Sequence, residues 1–311
     1  MKLHVVNPGL LSTIQDRGRS YWRASGVPVG GAADLESAEI AHALLSNPLH
    51  ATVLEFAGGV FKAIVVEGGL LSFFGNGGQL IINRKLVASG KVYQAEAGDQ
   101  IEIEPSNHGC YAYLTCTGGW KSMEILGSKS ACLSSGFGRE VQPGDMLESE
   151  QTSSSMFKEL NWYVPPTPEL TTVRVLAGPE AAHHASVFEK LLSNAYEIGA
   201  RRNRMGIQLI PTHSQTFPAT TFGNMVSAGV FPGIIQIPPD GRPFVLMADG
   251  QTTGGYPRMA IVVAADLARF AQVPSGRLIN FQLINLKEAE TALVAYRKRL
   301  NMIRFSVQGV R

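Results

Sequence analysis

The sequence predicts a mostly β protein of two domains with a few short helices. Three observations carry that reading. Short apolar runs broken by glycine fill the first half, strand-like segments resume at residue 172, and periodicity lapses between them in Gln151-Thr-Ser-Ser-Ser155 and Val164-Pro165-Pro166-Thr167-Pro168. The boundary is placed there, giving a first domain over 1–160 and a second over 161–311, and 311 residues let each half bury its own core. Many short, closely spaced strands point to a barrel or a sandwich. Trp162 and Tyr163, aromatic residues in the linking stretch, are expected to pack against something.

Taken in order, residues 3–6 form a strand that Asn7-Pro8-Gly9 ends before a polar loop carrying Gln15, Asp16, Arg17 and Arg19. Asp34 then supplies an N-cap and Glu36 an acid for the first turn, while Leu35, Ala38, Ala41, Leu44 and Leu45 recur at helical spacing until Asn47-Pro48. Strands are expected over 52–56, 63–66, 70–74, 79–82, 100–104 and 110–115. Gln100-Ile-Glu-Ile-Glu104 alternates cleanly, which predicts an antiparallel strand with one wet face. Ala97-Gly98-Asp99 and Pro143-Gly144-Asp145 each read as a turn that feeds a strand.

The second half restarts with a strand over 172–176. Gly178-Pro179-Glu180 opens a helix with proline at its first position, and Ala185, Phe188, Leu191 and Leu192 form its inner face. His183 and His184 are adjacent, so they point about 100° apart and make no helical metal pair. A short helix is expected near 264–271. Leu286, Ala289, Leu293, Tyr296 and Leu300 step by three and four into an amphipathic closing helix, expected to dock on its own domain.

Composition excludes several function classes. Lys and Arg number 27 against 25 Asp and Glu, and a net charge of +2 argues against nucleic acid or an anionic membrane as partner. No apolar run approaches the roughly 20 residues of a spanning helix, and the segment 1–8 is too short for a signal peptide's apolar region, so a cytoplasmic location is expected. Cys110, Cys116 and Cys132 form an odd set without C-x-x-C spacing, which favours reduced, core-filling thiols and argues against a zinc site. No metal ligand set is predicted. The chain has no G-x-x-x-x-G-K-[ST], no complete dinucleotide glycine pattern at Gly75-Asn-Gly77-Gly78, no G-x-S-x-G and no Met-Lys-Met biotinylation motif. Any ATP or biotin chemistry therefore needs another polypeptide.

Two polar islands are the candidates for chemistry. The apolar run Phe244-Val-Leu-Met247 empties into Ala248-Asp249-Gly250-Gln251-Thr252-Thr253-Gly254-Gly255-Tyr256-Pro257. A strand ending this way delivers Asp249, Gln251, Thr252 and Tyr256 to one concavity, with Gly250, Gly254 and Gly255 allowing backbone paths that a β-carbon would obstruct. A hairpin with a capped turn would show the same composition. Upstream, Arg201-Arg202-Asn203-Arg204-Met205-Gly206 sets three guanidinium groups within four residues and no acid among them. That is the composition of an anion site or of a solvated basic turn.

Several ordered motifs resemble one family. They are Pro8-Gly9-Leu10-Leu11-Ser12-Thr13-Ile14-Gln15-Asp16-Arg17-Gly18-Arg19, Gly26-Val27-Pro28 with Gly30-Gly31-Ala32-Ala33-Asp34, Asn203-Arg204-Met205-Gly206, Phe231-Pro232-Gly233-Ile234-Ile235-Gln236-Ile237-Pro238 with Gly241-Arg242-Pro243, and the run from Leu246 to Pro257. The sequence is identified as a member of the family of the C-subunit of the prokaryotic ATP-dependent 5-oxoprolinase, also called KipA or allophanate hydrolase subunit 2. The same family supplies the carboxyltransferase domain of urea carboxylase. Ala33 stands where the family usually has methionine, and Ala131 of Leu126-Gly127-Ser128-Lys129-Ser130-Ala131 where threonine is usual.

The resemblance implies two linked cyclophilin-like β-barrels. It also implies a hydrolase component, inactive alone, that opens the lactam of 5-oxoproline to glutamate at the expense of ATP. Its partners would be a KipI-like B-subunit together with a lactam-utilisation-protein-like A-subunit, with ATP bound among them. On this reading Asp249, Gln251 and Tyr256 are catalytic, and Asn203, Arg204, Gln236, Thr252, Gly254 and Gly255 bind substrate, with Arg204 gripping the carboxylate. Two other readings use the same surface: a biotin-dependent carboxyltransferase acting on urea or a similar amide, and a non-catalytic regulator that binds a KipI-like protein.

Overall fold

The computed structural model describes residues 1–151, 163–213, 217 and 225–308. It is a mostly β protein that divides into two compact units. Met1–Arg19, Gly30–Pro168 and Lys298–Arg311 form one, and Ser20–Val29 and Glu169–Arg297 form the other. The sequence suggests one cut after residue 160; the observed division falls after Pro168, and each unit also takes a short segment from the far side of it.

In the first unit the described strands are β1 (Lys2–Pro8), β2 (Ser12–Gln15), β3 (Val53–Phe56), β4 (Phe61–Glu67), β5 (Gly69–Phe74), β6 (Gly78–Ile82), β7 (Lys85–Leu86), β8 (Lys91–Ala95), β9 (Gln100–Pro105), β10 (Ala112–Cys116) and β11 (Met146–Glu148). They build one sheet in the order β11-β1-β4-β9-β6-β7 and another in the order β2-β3-β10-β5-β8. Inward residues of both sheets share one core, among them Leu3, Phe56, Phe61, Phe73, Ile103 and Leu114, and Trp120 from the loop after β10 packs into it. The alternation of 100–104 is realised: Ile101 and Ile103 are buried on a strand antiparallel to β4 and β6. Gln15, expected in a loop, lies in β2, because 12–15 pair with 53–56. β7 and β8 have no clear sequence signal: β7 is two exposed residues, and β8 becomes a strand by pairing with β5.

Helix α1 (Leu35–Leu44) begins at the expected cap, where the Asp34 carboxylate accepts from the Ser37 backbone N–H at 3.0 Å. It ends on a buried polar knot. The Asn47 side-chain oxygen accepts from the Gly118 N–H, so its NH2 faces the Cys116 carbonyl at 2.8 Å and His42 Nδ1 at 3.3 Å, which leaves Nδ1 as an acceptor. Burial pushes the His42 imidazole from its ordinary 6.5 down to about 4; repulsion from Arg304 adds to this, while a bond with the Ala51 backbone and the charge of Asp16 oppose it. A depressed histidine is stabilising while neutral. Its contribution is complete above pH 6.5 and is lost as pH falls toward about 4, because in that window only the unfolded chain takes up the proton. The expected loss is on the order of 3 kcal/mol. Glu39, pushed up by burial, works in the opposite direction, so the test is a comparison: denaturation between pH 4.5 and 7 should show a slope for the wild type that His42→Gln largely removes. Equal slopes would mean that His42 is not the titrating group.

In the second unit the described elements are β12 (Thr172–Ala177), α2 (Ala185–Ser193), β13 (Ala195–Arg202), β14 (Gly206–Pro211), β15 (Ala228–Gly229), β16 (Ile234–Gln236), β17 (Phe244–Leu246), β18 (Thr253–Gly254), β19 (Arg258–Val262), α3 (Ala264–Gln272) and β20 (Leu278–Leu283). Strands in the order β12-β19-β16-β17-β14-β13-β20 close a barrel, with β12 parallel to β20, and β15 pairs with β18 in a separate ribbon.

Helix α2 starts later than predicted. Residues 179–184 form turns, because Gly178 donates to the Met259 carbonyl and Glu180 is held by Arg258 through two side-chain bonds of 2.6 and 3.0 Å. Its buried residues are Val187 and Leu191, while Ala185 is exposed. The closing helix α4 (Leu286–Gln308) is longer than expected, and Asn285 and Glu288 cap it reciprocally at 2.8 and 2.9 Å. Ala289, Leu293, Tyr296 and Leu300 are half-buried, but Leu286 is exposed. Trp162 lies outside the described residues, and Tyr163 is exposed; Val164 is the residue that anchors this stretch, its backbone N–H donating to the Gly90 carbonyl at 3.0 Å. Cys116 and Cys132 are buried, and burial pushes the Cys116 thiol up to about 12, which makes it an inert core thiol.

Candidate functional site

Three neighbouring strands of the barrel, β14, β17 and β16, build the floor of the site. Ile207, Val245 and Ile235 stand opposite one another in register and are at most 1 % exposed, so they lie on the core face. Side chains alternate along a strand, which puts the next row, Gln208, Phe244 and Gln236, on the other face. Gly206 is required here, because a β-carbon would lie 2.0 Å from the Phe244 ring. Over this row opens a cavity of about 280 Å³. Arg201 and Arg242 line it with Gln208, Gln236, Gln251 and Tyr256, and Asp240 sits beside Gln208, its carboxylate 3.5 Å from the Gln208 amide nitrogen.

The structure brings together some of the predicted site residues and assigns others elsewhere. Gln236, Gln251 and Tyr256 share the cavity. Gln236 is 2 % exposed and joins the other two: its Nε2 donates to the Tyr256 carbonyl at 3.3 Å, and its Oε1 accepts from Gln251 Nε2 at 3.2 Å. Gly254 permits this clamp, since a β-carbon there would lie 2.8 Å from Gln236 Nε2. Its role is close approach rather than a turn. Gly254 pairs with Ala228 in the ribbon, Gly255 runs beside the Met225 carbonyl, and the Thr252 carbonyl accepts from the Val230 N–H. Asn203 folds its own turn, its side-chain oxygen accepting from the N–H groups of Met205 and Gly206 at 2.8 and 3.2 Å.

Arg204 and Asp249 depart most from expectation. The sequence reading makes Arg204 a fork for a substrate carboxylate and Asp249 a catalytic carboxylate, yet each is the other's ligand. Nε and a terminal nitrogen of Arg204 donate to the two Asp249 oxygens, both at 2.8 Å, and the residues are 6 % and 4 % exposed. The backbone repeats the tie, with Asp249 N–H on the Arg204 carbonyl at 2.8 Å. Neither side chain lines the cavity. The pair instead fixes the β13–β14 turn to the end of β17, the segment that leads to Gln251.

The cations at the cavity are others. Arg202 serves α3, donating to the carbonyls of Ala271 and Val273. That leaves Arg201 of the basic island, and Arg242 from Gly241-Arg242-Pro243; both are exposed, and neither guanidinium has a hydrogen bond or ion pair among the described residues. Two guanidinium groups without an ion pair among the described residues, set against the single carboxylate of Asp240 that also lines the cavity, leave an excess of positive charge that attracts a small anion. Sequence reasoning noted the island but could not tell which of its arginines would be spent on structure.

The first-unit motifs fold onto each other. Asp16 accepts from Ser128 Oγ, the Lys129 N–H and the Gly18 N–H, each at 2.7 Å, and also from Ser130 Oγ. Arg19 is 1 % exposed, donates to the Ile125 and Ser130 carbonyls and stacks on Phe137. Their work is to hold two loops together. A cavity of about 440 Å³ nearby is lined by apolar groups including Ile14, Met123, Ile125 and Val141, and its cations Lys121 and Arg139 are paired with Glu148 and Asp145.

Comparison with known proteins gives consistent results. A family model described as the carboxyltransferase domain, subdomain A and B, matches residues 25–283. The chain is 32 % identical to the 5-oxoprolinase C-subunit of Escherichia coli, over 92 % of this chain and 93 % of that protein. It is 30 % identical to the Haemophilus influenzae protein of the same name, over 89 % and 90 %. Against urea amidolyase of Lachancea kluyveri it is 27 % identical over 93 % of this chain and 18 % of the other. Among solved structures, TTHA0988 superposes with a TM-score of 0.80 at 30 % identity, covering 90 % of this chain; the chain spans 56 % of that one's length. Kluyveromyces lactis urea amidolyase superposes with a TM-score of 0.86 at 23 % identity, a likeness of fold, over 97 % of this chain and 20 % of the other.

Proposed function

From the premise that the chain belongs to the carboxyltransferase-domain family, subdomains A and B, we propose that it is one component of a multi-subunit, ATP-dependent 5-oxoprolinase. With partner subunits it hydrolyses 5-oxoproline to glutamate. The observation that carries this reading is the cavity in which two arginines without an ion pair among the described residues outnumber one carboxylate, Asp240, beside a cluster of amides, a composition suited to a small ring bearing both a carboxylate and an amide. Arg201 and Arg242 hold the carboxylate. Gln236, Gln251 and Tyr256 orient the lactam. ATP activates the carbonyl for attack by water, and with no phosphate-binding glycine loop in this sequence the nucleotide is assigned to the partners, one KipI-like and one lactam-utilisation-protein-like.

Similarity to urea amidolyase favours a second reading, biotin-dependent carboxyl transfer to a urea-like amide. Urea has no carboxylate, and the two arginines favour the first. The test is co-expression with the chains encoded beside it, followed by an assay of glutamate release from 5-oxoproline. The complex is expected to be active with ATP and the single chain inactive. ATP-dependent turnover by the single chain would overturn its assignment to a complex, and carboxylation of urea without glutamate release would favour the second reading.

A further inference from the structure

The hydrogen bonds behind the cavity determine which end of the Gln251 amide faces it. The Tyr256 carbonyl can only accept, so the Gln236 atom 3.3 Å away is its NH2. Gln236 therefore turns its oxygen to Gln251, and an oxygen can be met there only by the Gln251 NH2, at 3.2 Å. The chain of donors runs one way from Gln251 through Gln236 to a fixed main-chain acceptor. The opposite end of the Gln251 amide, its oxygen, has no partner among the described residues and is not buried away from solvent, and Gln251 lines the cavity.

We propose that Gln251 presents its amide oxygen to the cavity as an acceptor, so that the site takes a carboxylate that also carries an N–H donor, with Gln236 as the residue that positions Gln251. Arg201 and Arg242 meet the anion, Gln251 meets the N–H, and a ring ester of the same shape puts a second acceptor against an acceptor. This rests on the 5-oxoprolinase reading for its choice of probe. Gln236 itself is buried under Gly254 and acts through Gln251.

The probes are 5-oxoproline and its lactone analogue, in which a ring oxygen replaces the N–H, and the measurement is the affinity of the co-expressed complex for each. Wild type is expected to prefer the lactam by at least about tenfold, since an unmet acceptor in a polar site discriminates strongly. Gln251→Leu should reduce the preference below about threefold. Gln236→Leu frees the Gln251 amide to rotate, so the preference should fall because the lactone binds better, a change that general loosening of the loop would not produce. Equal affinity of wild type for both probes, an undiminished preference in Gln251→Leu, or no binding of either overturns the inference. Glutamate release is scored separately: turnover without a lactam preference leaves the 5-oxoprolinase reading standing, and a preference without turnover overturns that reading alone.

Discussion

Asp249→Asn is expected to destabilise the second unit by about 3 kcal/mol, at the lower end of what breaking a buried ion pair costs. Asparagine keeps one acceptor oxygen for the Arg204 fork but turns an NH2 toward the other N–H group, and a guanidinium 6 % exposed loses the charge of Asp249. The cost comes more from the buried Arg204 charge facing a neutral group than from the lost bond. Arg204→Met together with Asp249→Leu removes both charges and should therefore be more stable than Asp249→Asn, although the double variant deletes more hydrogen bonds. Denaturation of the wild type, both single variants and the double variant measures this directly. Were Asp249→Asn to unfold with the wild type and lose only turnover, Asp249 would be a catalytic group and the pair incidental.

Arg201→Ala and Arg242→Ala should act on function and leave folding alone. Both side chains are exposed and neither makes an ion pair among the described residues, so truncation leaves no buried partner unmet. Each removes one charge-assisted contact to the substrate carboxylate, for which about tenfold in KM for 5-oxoproline is expected, discounted from the full value because water screens the site. Together they should cost about a hundredfold with kcat little changed, because the carboxylate is held alike before and during reaction. Arg201→Lys should recover only part of the loss, since an ammonium lacks the planar fork. Unchanged kinetics in the double variant would remove the anion site from the second unit.

Some of this is legible without the structure. The α1 cap at Asp34, the alternation in 100–104 and the abrupt end of the 244–247 run all follow from local rules, periodicity and capping, that act within a few residues. Pairing across the barrel is not legible. Nothing within four residues of Arg204 is acidic, and its partner lies 45 positions away, so the basic island by itself does not show that Arg204 is held by Asp249. The start of α2 fails for the same reason: proline at a first helical position is a sound local signal, overridden because Glu180 is pulled to Arg258 on β19.

By itself, then, the sequence determined that the protein is mostly β and that it belongs to its family, because strand periodicity and long ordered motifs are written in residue order, and it offered 201–206 and 236–257 as candidates for its chemistry. Only the tertiary structure decided what each polar side chain there does. Arginines in one loop are chemically identical, and burial distinguishes them: inside the fold an unpaired charge is too costly, so Arg204 takes Asp249 and Arg202 takes two carbonyls, while Arg201 stays in water at the cavity without an ion pair among the described residues.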